Sequence, residues 1–475
     1  MKLNIKNIFN HQSRTVNSAA LIIAGVYFAS AVLGIFRDRL LAAKFGAGNE
    51  LDIYYASFRI PDFISTVLII GAIAAAIVPI FSQYLVRSRK EAFDFLANLL
   101  NVFLISLTAI CGLLIVFAPQ VIPFIAPGFL GEKKELAILL TRIMLLSPFL
   151  LGISNIISAI LRIFRRFVIS SLSPVMYNLG IILGILFFVP KFGLKGLAFG
   201  VVLGGALHLL IQLPVLFSVG FRPLKIINFK QKGLKEVVKL TIPRSIGLAA
   251  TQINLIVVNN IASLLASGSI AVLNLAESLS RPLFTFIAVS YSTAAFPVLA
   301  MAFSQKNKKK FSETFNSTIN KIFYLLLLLS FLFFIFRDFI VRTVFQTGKF
   351  NMADANLTAA CFGLFCLGIF AQGLVNFIAK AFYAVSDTKT PAVTSVAGMA
   401  VNVIFCLLLV KIFSFPNFFQ QIFVNFFNLA NRSGVEVLAL PLAISLSAIF
   451  QCFLLIIFYR KKKILIFSQK LNEPH

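Results

Sequence analysis

The sequence predicts an all-α polytopic membrane protein of about twelve helices, built as two parallel six-helix lobes around a central cavity. Three observations carry that prediction. The 475 residues are 59% hydrophobic and only 12% charged, about half the charge of a soluble domain. Apolar residues fall in runs of about 20, the length that crosses a bilayer. The cations gather in alternate loops, which is the mark of cytoplasmic segments.

Residues 1–17 form a polar, basic N-terminus, read as cytoplasmic and amphipathic. They lead straight into a long apolar run with no small-residue cleavage site, so no removable signal peptide is expected. Apolar stretches then predict helices at 18–41, 55–85, 93–118, 136–161, 167–189 and 196–219. After a basic linker at 220–236 come 237–265, 269–303, 322–336, 355–384, 391–410 and 437–459, and a basic tail at 460–475. The N-lobe is 18–219 and the C-lobe 237–459.

With the N-terminus inside, the inner loops hold about 26 cations and the outer loops about 10. That bias predicts an even number of spans with both termini cytoplasmic. It also accounts for the formal charge of +27 as a topology signal, so nucleic acid is not a predicted partner. The five cysteines each lie in an apolar run without a CxxC pair and read as small buried hydrophobes. The three histidines are too scattered for a metal site, and no metal or cofactor is predicted. No nucleophile–base arrangement or phosphate-cradling glycine loop marks an enzyme.

The two halves echo each other. Ala74-Ala75-Ala76-Ile77-Val78-Pro79 is matched by Thr293-Ala294-Ala295-Phe296-Pro297, Asn155 by Asn376, and Asn178 by Asn402. The offset stays at about 220 residues, as a duplicated six-helix unit requires. Six is even, so the copies share an orientation, and two such lobes suit alternating access.

Cations within or at the ends of spans are costly in lipid and normally face a bundle interior or a wet cavity. They are Arg37, Arg39, Arg59, Arg142, Arg244, Arg281 and Lys380. Glu277 and Arg281 share a helix face at i, i+4, a favourable intrahelical pair. Gly46 and Gly48 read as turn residues with unusual backbone angles.

Several strings in order along the chain resemble one family. They are Val32-Leu33-Gly34-Ile35-Phe36-Arg37-Asp38, Phe45-Gly46-Ala47-Gly48, Asp52, Phe58-Arg59-Ile60-Pro61 and Ala126-Pro127-Gly128-Phe129. Gln346-Thr347-Gly348-Lys349-Phe350 and Phe382-Tyr383-Ala384-Val385-Ser386-Asp387-Thr388-Lys389-Thr390-Pro391 complete the set. Together they resemble the MurJ (MviN) lipid II flippase family, of the multidrug/oligosaccharidyl-lipid/polysaccharide exporter superfamily.

The resemblance implies a two-lobed carrier in the bacterial inner membrane that moves undecaprenyl-diphosphate-linked disaccharide-pentapeptide to the outer leaflet. Membrane lipid and cell-wall synthesis proteins are the other implied partners. Arg37 matches a cavity arginine of the family, and Arg59 and Arg281 join it as substrate-binding candidates. Asp38, Asp52 and Glu277 are candidates for gating or ion pairing, and Arg142, Arg244 and Lys380 form a second tier.

The chain also departs from the family pattern. Ser30-Ala31 stands where Ser-Arg is frequent, Ser65-Thr66 where an arginine pair is frequent, and Ser278 at a cavity-arginine position. The family commonly has two further helices that line a groove for the lipid tail, whereas this sequence ends in a basic tail after Tyr459. The acids of a reported sodium site are absent: Val258, Asn259, Asn260, Asn402 and Cys406 stand there instead. Fewer arginines favour a flippase for another polyprenyl-diphosphate-linked glycan or a related exporter. A transport-dead scaffold of cell-wall synthesis is the third alternative.

Overall fold

The structure is a computed structural model that describes residues 16–70, 76–429 and 434–468. Side chains are described within these ranges except at 16–24, 70, 243, 244, 246, 247 and 462–468. No strand occurs among the described residues. Nine helices among them are long and apolar enough to cross a membrane: Arg89–Ile125, Gly131–Ile163, Phe167–Phe192, Lys195–Ser218, Ser269–Ser304, Lys308–Ile335, Met352–Ala384, Lys389–Phe413 and Val435–Lys461. Val16–Phe45 precedes them, followed by the broken helix Asn49–Ile64, Ser65–Ile70 and Val78–Arg87; Lys232–Ser263 lies between the two halves. Counted in chain order, these twelve described rods are the spans named below.

The observed boundaries correct the expected ones where a helix continues past its apolar stretch. The ninth span begins at Lys308, although apolar residues begin in earnest only at Ile322. Asn307 caps it by accepting from the Lys310 amide at 2.9 Å. Phe311, Phe315, Thr318 and Ile322 then bury one face at helical spacing. Lys308, Lys309, Lys310 and Lys321 therefore sit on a helix and not in a loop. Likewise Lys232, Lys235 and Lys239 lie on the seventh helix. Two short helices, Arg337–Phe345 and Phe418–Phe426, were missed because each is less than half a bilayer long.

The structure divides into two compact units, Met1–Leu41 with Asn49–Ile256, and Ala42–Gly48 with Val257–His475. In the first unit the fifth and sixth spans touch backbone to backbone. A Cβ on Gly180 would stand 2.3 Å from Gly204 Cα, and one on Gly184 2.5 Å from Gly200 Cα. Glycines four residues apart on both helices make that approach, which suits lipid, where close packing replaces the hydrophobic drive. The linker runs extended along the third span: Asn98 donates to Asn228 O at 3.0 Å and accepts from its amide at 2.7 Å. Asn101 donates to the Leu224 and Ile226 carbonyls.

The repeat extends into backbone geometry. A π-helical turn at Ser65–Ile70 follows Pro61 in the second span, and another at Phe284–Val289 follows Pro282 in the eighth. Proline lacks an N–H, and its ring crowds the preceding turn, so it loosens the ladder beside it. The spacing is again about 220 residues. Of the echoed strings, Ala74 and Ala75 lie outside the described residues.

In the second unit, two of the family strings meet. The Lys349 amide donates to Ala43 O at 2.8 Å, and the Ala47 amide donates to Asp354 Oδ2 at 3.1 Å, 307 residues away. Asp354 is held by a capping box with Asn351 at the start of the tenth span. Gly46, with φ +68°, has the unusual angle expected of it, but Gly48 does not; Gly268 and Gly348, with φ +90° and +60°, do. Side-chain-free backbone at those two positions admits the Ala43–Gly48 segment.

Candidate functional site

In the first unit, Ser30 and Arg37 of the first span hydrogen-bond to Asn178 of the fifth. Arg37 donates from Nε (2.9 Å) and Nη2 (2.7 Å) to Oδ1 of Asp38, and from Nη1 to Asn178 Oδ1 at 3.0 Å. The Asn178 amide nitrogen in turn donates to Ser30 O and Oγ and to Pro174 O, each at 3.3 Å. This chain of bonds fixes the rotamer of a planar fork of donors. A guanidinium has five N–H groups. These bonds leave one on each terminal nitrogen not engaged by Asp38 or Asn178.

Depth follows from the partner. Asn178 lies near the middle of the span Phe167–Phe192, so Arg37 is held against a mid-span group. Its side chain is 24% exposed while that of Asp38 is 5% exposed. An accessible cation is thus backed by a buried anion.

Arg59 is buried, at 8% exposure, one helical turn beyond Tyr55. It is thus an interior residue and not an end-of-helix anchor. Asp52 is 2% exposed and receives Lys133, whose Nζ is 3.2 Å from Oδ2. Lys133 also donates to Asn49 Oδ1 at 2.7 Å and lies 4.3 Å from the centroid of Phe129. The Asp52 and Phe129 strings therefore converge on one lysine, Lys133.

Arg142 has a structural role that the sequence did not reveal. Its Nε donates to the Ile115 carbonyl at 3.0 Å. Ile115 lies four residues before Pro119, which has no N–H to offer it. Arg142 thus satisfies a carbonyl that the proline orphans. Replacing Arg142 with leucine is expected to cost about 1–3 kcal/mol, the penalty of an unpaired buried polar group. Most of that loss should disappear in Arg142→Leu/Pro119→Ala, where residue 119 regains an amide. A thermal-unfolding double-mutant cycle measures it, and additive losses would exclude this role.

In the second unit, Arg281 Nη2 lies 3.1 Å from Glu277 Oε1, with side chains 64% and 25% exposed. The predicted i, i+4 pair forms, on an open face. Lys380 Nζ donates to Thr293 Oγ1 at 2.8 Å and joins the tenth span to the eighth. The side chain of Arg244 lies outside the described residues. The repeat partners Asn178 and Asn402 have diverged: Asn402, 1% exposed, accepts from Ser447 at 3.5 Å and from the Cys406 thiol at 3.8 Å. Sequence reading noted Asn178 only as an echo, because nothing local to it announces a partner 141 residues away.

A model of the family described as lipid II flippase MurJ matches residues 41–472. Similar relatives include a probable lipid II flippase MurJ of Buchnera aphidicola subsp. Schizaphis graminum. It is 31% identical over 378 residues, covering 78% of this chain and 74% of that protein. A lipid II flippase MurJ of Burkholderia cenocepacia is 27% identical over 393 residues, covering 81% and 76%. Among solved structures, lipid II flippase MurJ in an inward closed conformation superposes with a TM-score of 0.76 at 24% identity, covering 95% of this chain and 91% of that one. An inward-facing multidrug resistance MATE family transporter of the MOP superfamily gives 0.75 at 14% identity, covering 96% and 100%. These two likenesses concern the fold. The family match over residues 41–472, with the ordered strings and the twelve described helical rods, makes this protein a member of the MurJ lipid II flippase family.

Proposed function

We propose that this chain moves lipid II from the inner to the outer leaflet of the bacterial cytoplasmic membrane by alternating access, with both termini cytoplasmic. Residues 18–219 and 237–459 act as the two lobes. It carries its cargo without making or breaking covalent bonds. The observation that supports this reading is the preorganised guanidinium of Arg37 at mid-span.

A diphosphate does not cross hydrocarbon alone, because its charge would be stripped of water. A guanidinium fork replaces that water with charge-assisted hydrogen bonds of matching geometry. Without cargo, Asp38 neutralises Arg37 and keeps the site from standing as an unpaired charge. A phosphate oxygen engages the open terminal N–H groups, and the Asn178–Ser30 bonds keep the fork aimed while it does so. Arg59 and Arg281 are the further cations proposed for the headgroup; Lys380 is a weaker candidate because it is engaged with Thr293.

Complementation tests the reading. In a walled bacterium depleted of its resident lipid II flippase, expression of this chain is expected to prevent lysis. Lysis with the protein present in the membrane at normal amount would refute the proposal.

A further inference from the structure

The short helix Phe418–Phe426, FFQQIFVNF, follows the eleventh span after a tight corner. Asn417 caps both elements: its side chain accepts from the Gln420 amide at 2.8 Å and donates to the Ile412 and Phe415 carbonyls at 2.5 and 2.9 Å. Gln420 adds a bond to Phe413 O at 3.0 Å. The short helix is therefore fastened at the very end of a membrane-crossing rod.

At about 100° per residue, its side chains divide into three arcs. One packs on the protein: Phe423 lies 5.3 Å from Phe413 between ring centroids, and Gln420 and Val424 are half-buried beside it. A second is exposed and apolar, with Phe418 at 80%, Ile422 at 47%, Phe426 at 55% and Phe419 at 39%. The third is exposed and polar, with Gln421 and Asn425 one turn apart. A helix in water needs only two arcs, and so does one buried in a bilayer. Three arcs suit a helix with protein on one side, acyl chains on another and headgroups on the third.

What covers the apolar arc follows from continuity. Leu408, Ile412 and Phe415 lead to it along the exposed face of the eleventh span. The ninth span ends against it, with Phe334 6.1 Å from Phe426 between ring centroids, and Phe331, Ile335, Phe336 and Phe339 around that end are exposed. Those faces are lipid-facing by length and composition, so the arc extends an existing lipid interface. No charged residue occurs between Lys411 and Arg432 to lift the segment into water.

The helix is also buckled down. The Arg337 guanidinium lies 5.0 Å from the ring centroid of Phe334, 5.5 Å from that of Phe426 and 5.0 Å from that of Phe427, and it donates to Phe334 O at 2.8 Å. Such a cation, 13% exposed, caged by aromatics and 3.6 Å from the half-exposed carboxylate of Asp338, suits a membrane margin.

We propose that Phe418–Phe426 lies flat in the leaflet interface at the non-cytoplasmic end of the second unit, with Phe418, Phe419, Ile422 and Phe426 dipped into the acyl–headgroup boundary and Arg337 as its buckle. The partner is the lipid surface itself. The inference rests on the proposed orientation for the leaflet it names and otherwise only on the chain spanning a membrane; it does not depend on the cargo.

The chain contains no tryptophan, so one introduced residue becomes a sole reporter. Phe418→Trp and, separately, Ile422→Trp would be reconstituted in phosphatidylcholine vesicles. Lipids brominated near the carbonyl are expected to reduce emission about twofold, lipids brominated near the chain end less, and aqueous iodide by no more than about a tenth. Arg337→Met in the Phe418→Trp background should raise iodide quenching several-fold while helicity is retained. Strong iodide quenching with no bromine effect, in either tryptophan variant, would put the arc in water. Insensitivity to both quenchers would put it under protein, such as a second copy. Either result overturns the proposal.

Discussion

Arg37→Ala is expected to abolish rescue in the depletion strain and to lower lipid II translocation in vesicles by about ten- to a hundredfold. That range corresponds to losing charge-assisted hydrogen bonds worth about 1.5–3 kcal/mol. Arg37→Lys should fall between, because an ammonium keeps the charge but lacks the planar fork. One complication is built into the site. Removing Arg37 strands Asp38, whose side chain is 5% exposed, and an unpaired buried carboxylate destabilises the fold by itself. The double variant Arg37→Ala/Asp38→Asn separates the two effects. It should return to normal abundance in the membrane and still not transport. Asn178→Leu should keep the charge and lose its aim, giving a smaller deficit than Arg37→Ala. Full rescue by Arg37→Ala at normal abundance would remove Arg37 from the mechanism.

Gly268→Ala is expected to produce the largest loss of stability of any conservative change. Its backbone has φ +90°, and a Cβ there would stand 2.0 Å from the Ala47 carbonyl oxygen. Backbone strain and overpacking each contribute about 1–3 kcal/mol, so a total of about 2–6 kcal/mol is expected. Gly348→Ala has a similar clash, 2.3 Å from the Ala43 carbonyl oxygen, at φ +60°. Gly48→Ala is the control, with nothing within 4 Å of its Cβ and no positive φ. The protein carries its own reporter: Cys111, Cys361, Cys366, Cys406 and Cys452 are free and buried. A thiol-reactive fluorescent dye followed during heating therefore reads unfolding directly. Equal transition temperatures for Gly268→Ala and Gly48→Ala would show that the Ala43–Gly48 segment is not gripped as described.

The legible and illegible parts of the site differ in kind. Arg37 could be picked out because a cation inside an apolar run is conspicuous. The Glu277–Arg281 pair could be read because it is local, four residues along one helix. Arg142 was equally conspicuous, yet its partner is a backbone carbonyl orphaned by a proline in another span, which charge counting does not register. Lys133 and Arg337 lie outside the apolar runs, where a charge attracts no notice. One in fact neutralises a buried aspartate, and the other is caged by three phenylalanine rings.

Hydropathy runs determined the all-α, polytopic membrane class, because apolar stretches of about 20 residues are a one-dimensional consequence of living in lipid. Helix ends were decided elsewhere: the ninth span starts fourteen residues before its apolar stretch because burial of Phe311 and Phe315, and a cap at Asn307, outweigh the polarity of its lysines. Only tertiary structure gave Arg37 its partner Asn178, pinched the Ala43–Gly48 backbone between Gly268 and Gly348, and set Arg142 beneath a proline. Those interactions join positions tens to hundreds of residues apart, and their energies depend on angles and distances of a few ångströms that no pattern along the chain encodes.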